Sequence, residues 1–141
     1  MAVPYTQSFD IRGRDFAHAG SASTEIKSLL KSLGINAAIV RRVAIAAYEA
    51  EMNAVMYAER ATMTFSVTPD VVAISLEDRG PGIADIDLAM QEGWSTATHE
   101  MREMGFGAGM GLPNIKRNAD EFVIRSEVGK GTTLKIVIYI R

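Results

Sequence analysis

The sequence has no cysteine, two histidines and one tryptophan among its 141 residues, and these scarcities exclude several kinds of chemistry. A chain without cysteine forms no disulfide and offers no thiolate to a metal, which fits a reducing compartment. His18 and His99 are too few for a histidine-rich metal site. We therefore expect a cytoplasmic protein.

Long hydrophobic runs and an excess of positive charge are also lacking. No run approaches the roughly 18 apolar residues that a membrane-spanning helix needs, so we expect no membrane insertion. Residues 1–10 lack a basic segment followed by an apolar one, so we expect no secretory signal. The net charge of −2 gives no reason to expect nucleic-acid binding. The length and the 48% hydrophobic content predict one globular domain, residues 1–141.

The spacing of apolar residues predicts strands that alternate with helices. Helices are expected from a cap at Ser21 or Ser23 to Leu33, from an Asn36 cap across 37–59, for a turn or two in 86–91, and from Gly111 onward. Strands are expected at 3–11, 61–67, 71–77, 121–126 and 132–140. This order predicts an α+β two-layer sandwich, with one mixed β-sheet and the helices on one of its faces.

The longest predicted helix, residues 37–59, carries an apolar stripe at helical spacing. Glu49 and Asn53 lie together at the edge of that stripe, since residues four apart are neighbours on a helix. Glu51 is expected on the other side of the helix. The stripe consists of Ile39, Val43, Ala46, Ala47, Ala50 and Ala54.

The glycines are concentrated in one part of the chain, since seven of the twelve lie between Gly80 and Gly111. Asp78 ends a predicted strand just before them, where its carboxylate can accept a hydrogen bond from an exocyclic amine. The glycines at 105–111 precede a helix N-terminus, which favours phosphate. Glu49 and Asn53 add oxygen atoms of the kind that bind Mg²⁺. Together these features predict a nucleotide site.

At these residues the chain resembles the GHKL ATPase superfamily. Residues 49–54 match its N box, 78–82 its first glycine box, 107–112 its second glycine box and 129–132 its last motif. Four motifs in the right order are specific, whereas each alone is weak. Within the superfamily the chain is most similar to the bacterial anti-sigma-factor and switch-protein serine kinases. The resemblance implies the Bergerat-type ATP-binding fold.

The resemblance also implies roles for single residues. Asn53 would ligate Mg²⁺, and Glu49 would be the catalytic base that takes the proton of an incoming hydroxyl. Asp78 would bind the adenine amino group, with Thr132 supporting it through water. The remaining residues implied to bind ATP are Gly80, Gly82, Gly105, Gly107, Gly109, Met110, Gly111 and Leu112.

The implied function is that of an ATP- and Mg²⁺-dependent protein serine/threonine kinase, an anti-sigma regulatory factor. Its substrate would be a small regulatory protein of the anti-anti-sigma (STAS) class in a bacterial signalling switch. One alternative is a nucleotide-gated module that sequesters or activates a partner such as a sigma factor. Another is a histidine kinase catalytic domain whose phosphoacceptor hairpin is supplied in trans. A homodimer is left open.

Residues 96–104 depart from the family pattern, because the closest switch kinases have a shorter connection there. Since this segment borders the place where a partner would dock, we expect it to influence partner choice. His99 and Glu100 within it look like the phosphoacceptor pair of histidine kinases, but we expect His99 to be a plain surface histidine. Lys116 and Arg117 either reach a phosphate or lie on a solvated helix face.

Overall fold

The computed structural model describes residues 5–91 and 111–140, in which helices cover one face of a five-stranded sheet. The strands are β1 (Tyr5–Arg12), β2 (Arg60–Val67), β3 (Val71–Arg79), β4 (Glu121–Glu127) and β5 (Gly131–Tyr139). The helices are α1 (Ser21–Ser32), α2 (Ala37–Tyr57), α3 (Ile86–Ala89) and α4 (Gly111–Asn118), with a 3-10 turn at Phe16–His18. The predicted α+β class is confirmed.

The sheet has the strand order β1-β2-β3-β5-β4, and all four pairings are antiparallel. The prediction of a mixed sheet is therefore wrong. β3 and β4 do run in the same direction, as the helical connection between them suggests. However, β5 folds back from β4 and inserts between the two, so no parallel pair is formed.

The core lies between the sheet and the helices, and alternation along the strands builds it. On β2 the side chains of Ala61, Met63, Phe65 and Val67 are buried, and their neighbours on the strand are more exposed. The predicted stripe of α2 faces this sheet surface. Its residues from Val43 to Ala54 are buried, and Ile39 is partly buried. Four of its members are alanines, whose small side chains let α2 lie close to the sheet.

α2 is the central helix, since it packs against α1 on one side and α4 on the other. The predicted Asn36 cap is confirmed, because its Oδ1 accepts a hydrogen bond from the Ala38 amide at 2.8 Å. The predicted cap of α1 at Ser21 or Ser23 is wrong. Gly20 occupies the cap position with a φ of 95°, and it has no side chain that could cap the helix.

The Glu51 side chain of α2 caps the start of α1 instead. Its carboxylate accepts hydrogen bonds from the backbone amides of Gly20, Ala22 and Ser23, at 3.0, 3.2 and 2.9 Å. The residue is only 2% exposed. Glu51 does lie away from the apolar stripe of α2, as predicted. It is nevertheless buried, because α1 covers that side of α2. A buried carboxylate thereby satisfies the free amides of the α1 N-terminus.

The described elements share one hydrophobic cluster, and the prediction of a single domain across residues 1–141 stays a prediction. Within residues 5–91 and 111–140, no helix combines the length and the apolar character needed to cross a membrane. The predicted insertion at 96–104, including His99, lies outside the described residues.

Candidate nucleotide site

Glu49 and Asn53 lie one turn apart on the same face of α2, and both are partly buried. Oε2 of Glu49 accepts a hydrogen bond from Nδ2 of Asn114, on α4, at 2.8 Å. This contact ties the predicted base to the helix that follows the second glycine box. Asn114 was not predicted as a site residue, because its position in the first turn of α4 matches no motif.

Asp78 lies at the end of β3, half-buried, next to the start of β5. Its Oδ1 accepts a hydrogen bond from the Thr132 backbone amide at 2.9 Å. Burial raises the pKa of the Asp78 carboxyl above its ordinary value, and the hydrogen bond from Thr132 partly offsets that rise. Within the described part of the chain, Oδ2 of Asp78 has no hydrogen-bond partner, which leaves an acceptor for a ligand.

Thr132 is thus joined to Asp78 by a direct backbone hydrogen bond, and its hydroxyl is engaged elsewhere. That hydroxyl lies 2.8 Å from the Ser126 Oγ. Ser126 in turn accepts a hydrogen bond from the Ile83 amide at 2.6 Å. Ser126 therefore links the β4–β5 hairpin to the residue directly after the first glycine box. No motif predicted this role of Ser126, because a serine in a strand is common.

The glycines of the first box let backbone pack on backbone. A Cβ at Gly80 would lie 3.2 Å from the Ala58 Cα and 3.3 Å from the Tyr57 carbonyl oxygen. Gly82 has a φ of +76°, and a Cβ there would collide with the carbonyl of Glu127. The glycines thus hold the end of β3 against the end of α2 and against the β4–β5 turn.

These contacts bring several of the predicted residues together. Gly80 lies beside the Tyr57 carbonyl, one helical turn beyond Asn53, since a Cβ at Gly80 would be 3.3 Å from that oxygen, and Asp78 is two residues before Gly80. Gly111 begins α4, where a Cβ would meet no described atom within 4 Å. The Leu112 side chain is buried in the core, which leaves its backbone amide as the group available to a phosphate. Gly105, Gly107, Gly109 and Met110 lie outside the described residues.

A groove with a volume of about 840 Å³ is lined by residues of α1, α2 and the connection between them, and Glu49 is one of its lining residues. Its walls carry the exposed cations Lys27, Lys31 and Arg41, with Tyr48 beside Glu49. None of the three cations forms an ion pair with an acidic residue of the described ranges. Glu49 is the only acidic residue among those that line the described groove.

Residues 14–138 match the model of the histidine kinase-like ATPase domain. The chain belongs to this family. It is 32% identical to the serine/threonine-protein kinase RsbT of Bacillus subtilis (strain 168) over 119 residues, covering 82% of this chain and 84% of the relative. It is also 32% identical to the anti-sigma F factor of Geobacillus sp. (strain WCH70) over 117 residues, covering 83% of this chain and 69% of that protein.

A third relative, the anti-sigma F factor of Thermoanaerobacter sp. (strain X514), is 34% identical over 79 residues, which are 56% of this chain and 52% of that protein. These comparisons confirm the predicted resemblance to the GHKL superfamily. They also confirm the predicted enzyme class, a serine/threonine-protein kinase.

The described residues of this histidine kinase-like ATPase domain fit ATP and Mg²⁺. Asp78 presents a half-buried acceptor that suits an adenine amino group, and α4 begins with the open position Gly111. Within 5–91 and 111–140 there is no cluster of three or more metal-binding side chains. Mg²⁺ keeps several waters and takes one or two protein oxygens together with phosphates. Asn53 offers one such oxygen.

Replacing Asp78 by Asn is expected to weaken ATP binding by about 10- to 100-fold, as for loss of a hydrogen bond to a charged group. The amide can still accept from the Thr132 N–H, but its NH₂ then faces the adenine amine. Calorimetric titration with ATP measures the effect. Glu77→Gln, an exposed neighbour on the opposite face of β3, is the matched control and should bind ATP normally.

Asp78→Asn should fold normally, and the direction of the Asp78 pKa shift explains why. Because the pKa of Asp78 is raised in the folded protein, its contribution to stability is present below the unfolded pKa and is lost as the pH rises through the folded pKa. Asn does not ionise, so the variant lacks that loss at neutral pH. An unchanged ATP affinity in Asp78→Asn would refute the adenine assignment.

Proposed function

We propose that this chain transfers the γ-phosphate of MgATP to a serine or threonine of a small regulatory protein of the STAS class, as a switch within a bacterial signalling pathway. The observation that carries the proposal is the pairing of Glu49 and Asn53 on one face of α2. Asp78 lies beyond the end of the same helix, against Gly80. The kinase class and the names of the relatives support the proposal that the acceptor is a regulatory protein.

In the proposed reaction, the hydroxyl oxygen of the acceptor attacks the γ-phosphorus of ATP. A new oxygen–phosphorus bond forms, the bond between the γ-phosphorus and the β–γ bridging oxygen breaks, and ADP leaves. The hydroxyl proton passes to the carboxylate of Glu49, which acts as general base. Mg²⁺ would neutralise charge on the phosphates, and Asn53 would hold it. The protein's contribution is mainly positioning and charge neutralisation.

Replacing Asn53 by Ala is expected to remove most of the Mg²⁺-dependent part of ATP affinity, a loss of at least about 10-fold. Titration with ATP in the presence of Mg²⁺ and then of a chelator separates the metal-dependent part. Asn53→Asp keeps an oxygen ligand at the same place and should retain the Mg²⁺ effect. If MgATP binds to Asn53→Ala as tightly as to the parent, the metal assignment is wrong.

The groove between α1 and α2 supports a protein as the acceptor. Lys27, Lys31 and Arg41 give it positive charge, and Glu49, which the acceptor hydroxyl must reach, is one of its lining residues. A partner that presents an acidic surface beside its serine would satisfy both conditions. Electrostatic complementarity of this kind mainly raises the association rate and selects the partner.

The proposed function is tested with labelled ATP, Mg²⁺ and a panel of purified STAS-domain proteins, including any encoded by neighbouring genes. One member should be labelled on serine or threonine by the parent. If the parent binds MgATP and labels no member of the panel, the proposed kinase substrate is overturned.

A second candidate is nucleotide-gated binding of a sigma factor, which the names of the anti-sigma F factor relatives favour. It is distinguished by pull-down: MgATP should then increase retention of a sigma factor without any phosphate transfer. The cytoplasmic location and a homodimer stay predictions.

A further inference from the structure

Asn114 makes the one hydrogen bond to the Glu49 carboxylate that is found among the described residues. It lies in the first turn of α4, which starts directly after residues 92–110. Its Nδ2 donates to the Glu49 Oε2 at 2.8 Å, a short distance for a bond between an amide and a carboxylate. The second oxygen of Glu49 is not used by this contact.

A second contact fixes which way the Asn114 amide points. The Arg117 guanidinium donates to the Asn114 Oδ1 at 3.1 Å. Because a guanidinium only donates, the oxygen of the amide must face Arg117, and the NH₂ group must face Glu49. The orientation of Asn114 is thus determined by its two neighbours, and Arg117 belongs to the same short chain of contacts.

The two helices that carry this contact are held together at their other ends as well. Arg42 of α2 donates from Nε to the Asn118 carbonyl at 3.0 Å. It also forms an ion pair with Asp120 at 3.2 Å. Arg42 and Glu49 are two turns apart on α2, and they meet α4 near its end and its start, respectively. α4 therefore lies antiparallel to α2, and Leu112 and Ile115 are buried between them and the sheet.

We infer that Asn114 is a positioning residue for Glu49. It holds Oε2 in a fixed place, so that Oε1 is directed to the hydroxyl of the acceptor. A glutamate has three side-chain torsions, and a general base must lie within about 3.2 Å of the proton that it removes. Holding one oxygen reduces the number of unproductive orientations. This role rests on the proposed function of Glu49 as base.

The first test does not depend on activity. The side-chain NH₂ signals of Asn114 are recorded by nitrogen–proton correlation NMR in the parent, in Glu49→Ala and in Glu49→Gln. They should shift in Glu49→Ala, which removes the acceptor, and shift less in Glu49→Gln, which keeps an oxygen. Identical signals in the parent and in Glu49→Ala would show that the contact is absent in solution, and the inference would fail whatever the protein's function.

The second test is a double-mutant cycle on phosphate transfer to a STAS-domain acceptor. Asn114→Ala should lower kcat by about 10-fold, the effect expected for one hydrogen bond to a charged group, and change the dissociation constant of MgATP less than about 2-fold. In the Glu49→Gln background the same substitution should have almost no further effect on kcat. Lys135→Ala, at an exposed position of β5, is the control.

Two results would overturn the positioning role. One is an unchanged kcat in Asn114→Ala. The other is an equal loss of kcat in both backgrounds, because a residue that acts only through Glu49 cannot add its effect once Glu49 is replaced. Thermal melting of Asn114→Ala shows whether unfolding is the cause of a lower kcat, and a melting temperature equal to that of the parent excludes it. If the parent and Glu49→Gln transfer phosphate equally, the proposed base fails first, and the role of Asn114 fails with it.

Discussion

Replacing Glu49 by Gln is expected to lower phosphate transfer by about 10²- to 10⁴-fold while ATP binding stays within about 2-fold of the parent. Gln cannot take the hydroxyl proton, so transfer loses its general base. It does keep a side-chain oxygen, so the hydrogen bond from Asn114 can persist and α4 should stay in place. The rate is measured with labelled ATP and an unphosphorylated STAS-domain acceptor that the parent labels, and ATP affinity is measured by calorimetry.

The matched control is again Glu77→Gln, which removes the same charge from an exposed position on β3. Its transfer rate should equal that of the parent. A parental rate in Glu49→Gln would show that Glu49 is not the base. A loss of ATP affinity with no change in kcat would show that Glu49 acts in binding alone.

Replacing Glu51 by Ala is expected to lower the free energy of unfolding by about 3–5 kcal/mol. The substitution leaves three backbone amides at the start of α1 without their acceptor, in a place that is only 2% exposed. It also opens a void between α1 and α2. Denaturant unfolding measures the change, and the melting temperature should fall by about 10–20 °C.

Two further variants show whether the loss of stability in Glu51→Ala comes from the missing acceptor oxygens. Glu51→Gln keeps the shape and one acceptor oxygen, and its loss should be smaller, about 1–2 kcal/mol. Glu59→Ala removes an exposed carboxylate just after α2 and should change stability by less than about 0.5 kcal/mol. If Glu51→Ala unfolds at the same denaturant concentration as the parent, the carboxylate does not hold the start of α1.

Much of the fold followed from periodicity, since α2 and the β2–β3 hairpin lie within two residues of their predicted bounds at each end. Their signals are strong because each element buries one face against the same core. The pairing of β5 between β3 and β4 could not be predicted this way. A period of two shows which face of a strand is buried, and it does not show which strand is its neighbour.

The reason for the glycines was only partly predictable. The resemblance to the GHKL superfamily implied that Gly80 and Gly82 bind ATP. The structure shows that protein backbone lies against both glycines, at Ala58 for Gly80 and at Glu127 for Gly82. A sequence pattern reports that a side chain is not tolerated, but the atoms that exclude it come from distant parts of the chain.

The sequence by itself determined the family, the kinase class and the placement of Glu49 and Asn53 on one helical face, because local spacing and motif order encode them. Only the tertiary structure decided that Glu51 is buried beneath α1, that Asp78 is held by the Thr132 amide, and that Asn114 reaches Glu49. Each of these contacts joins residues at least 28 positions apart. Such contacts depend on how helices and strands pack, which local periodicity does not specify.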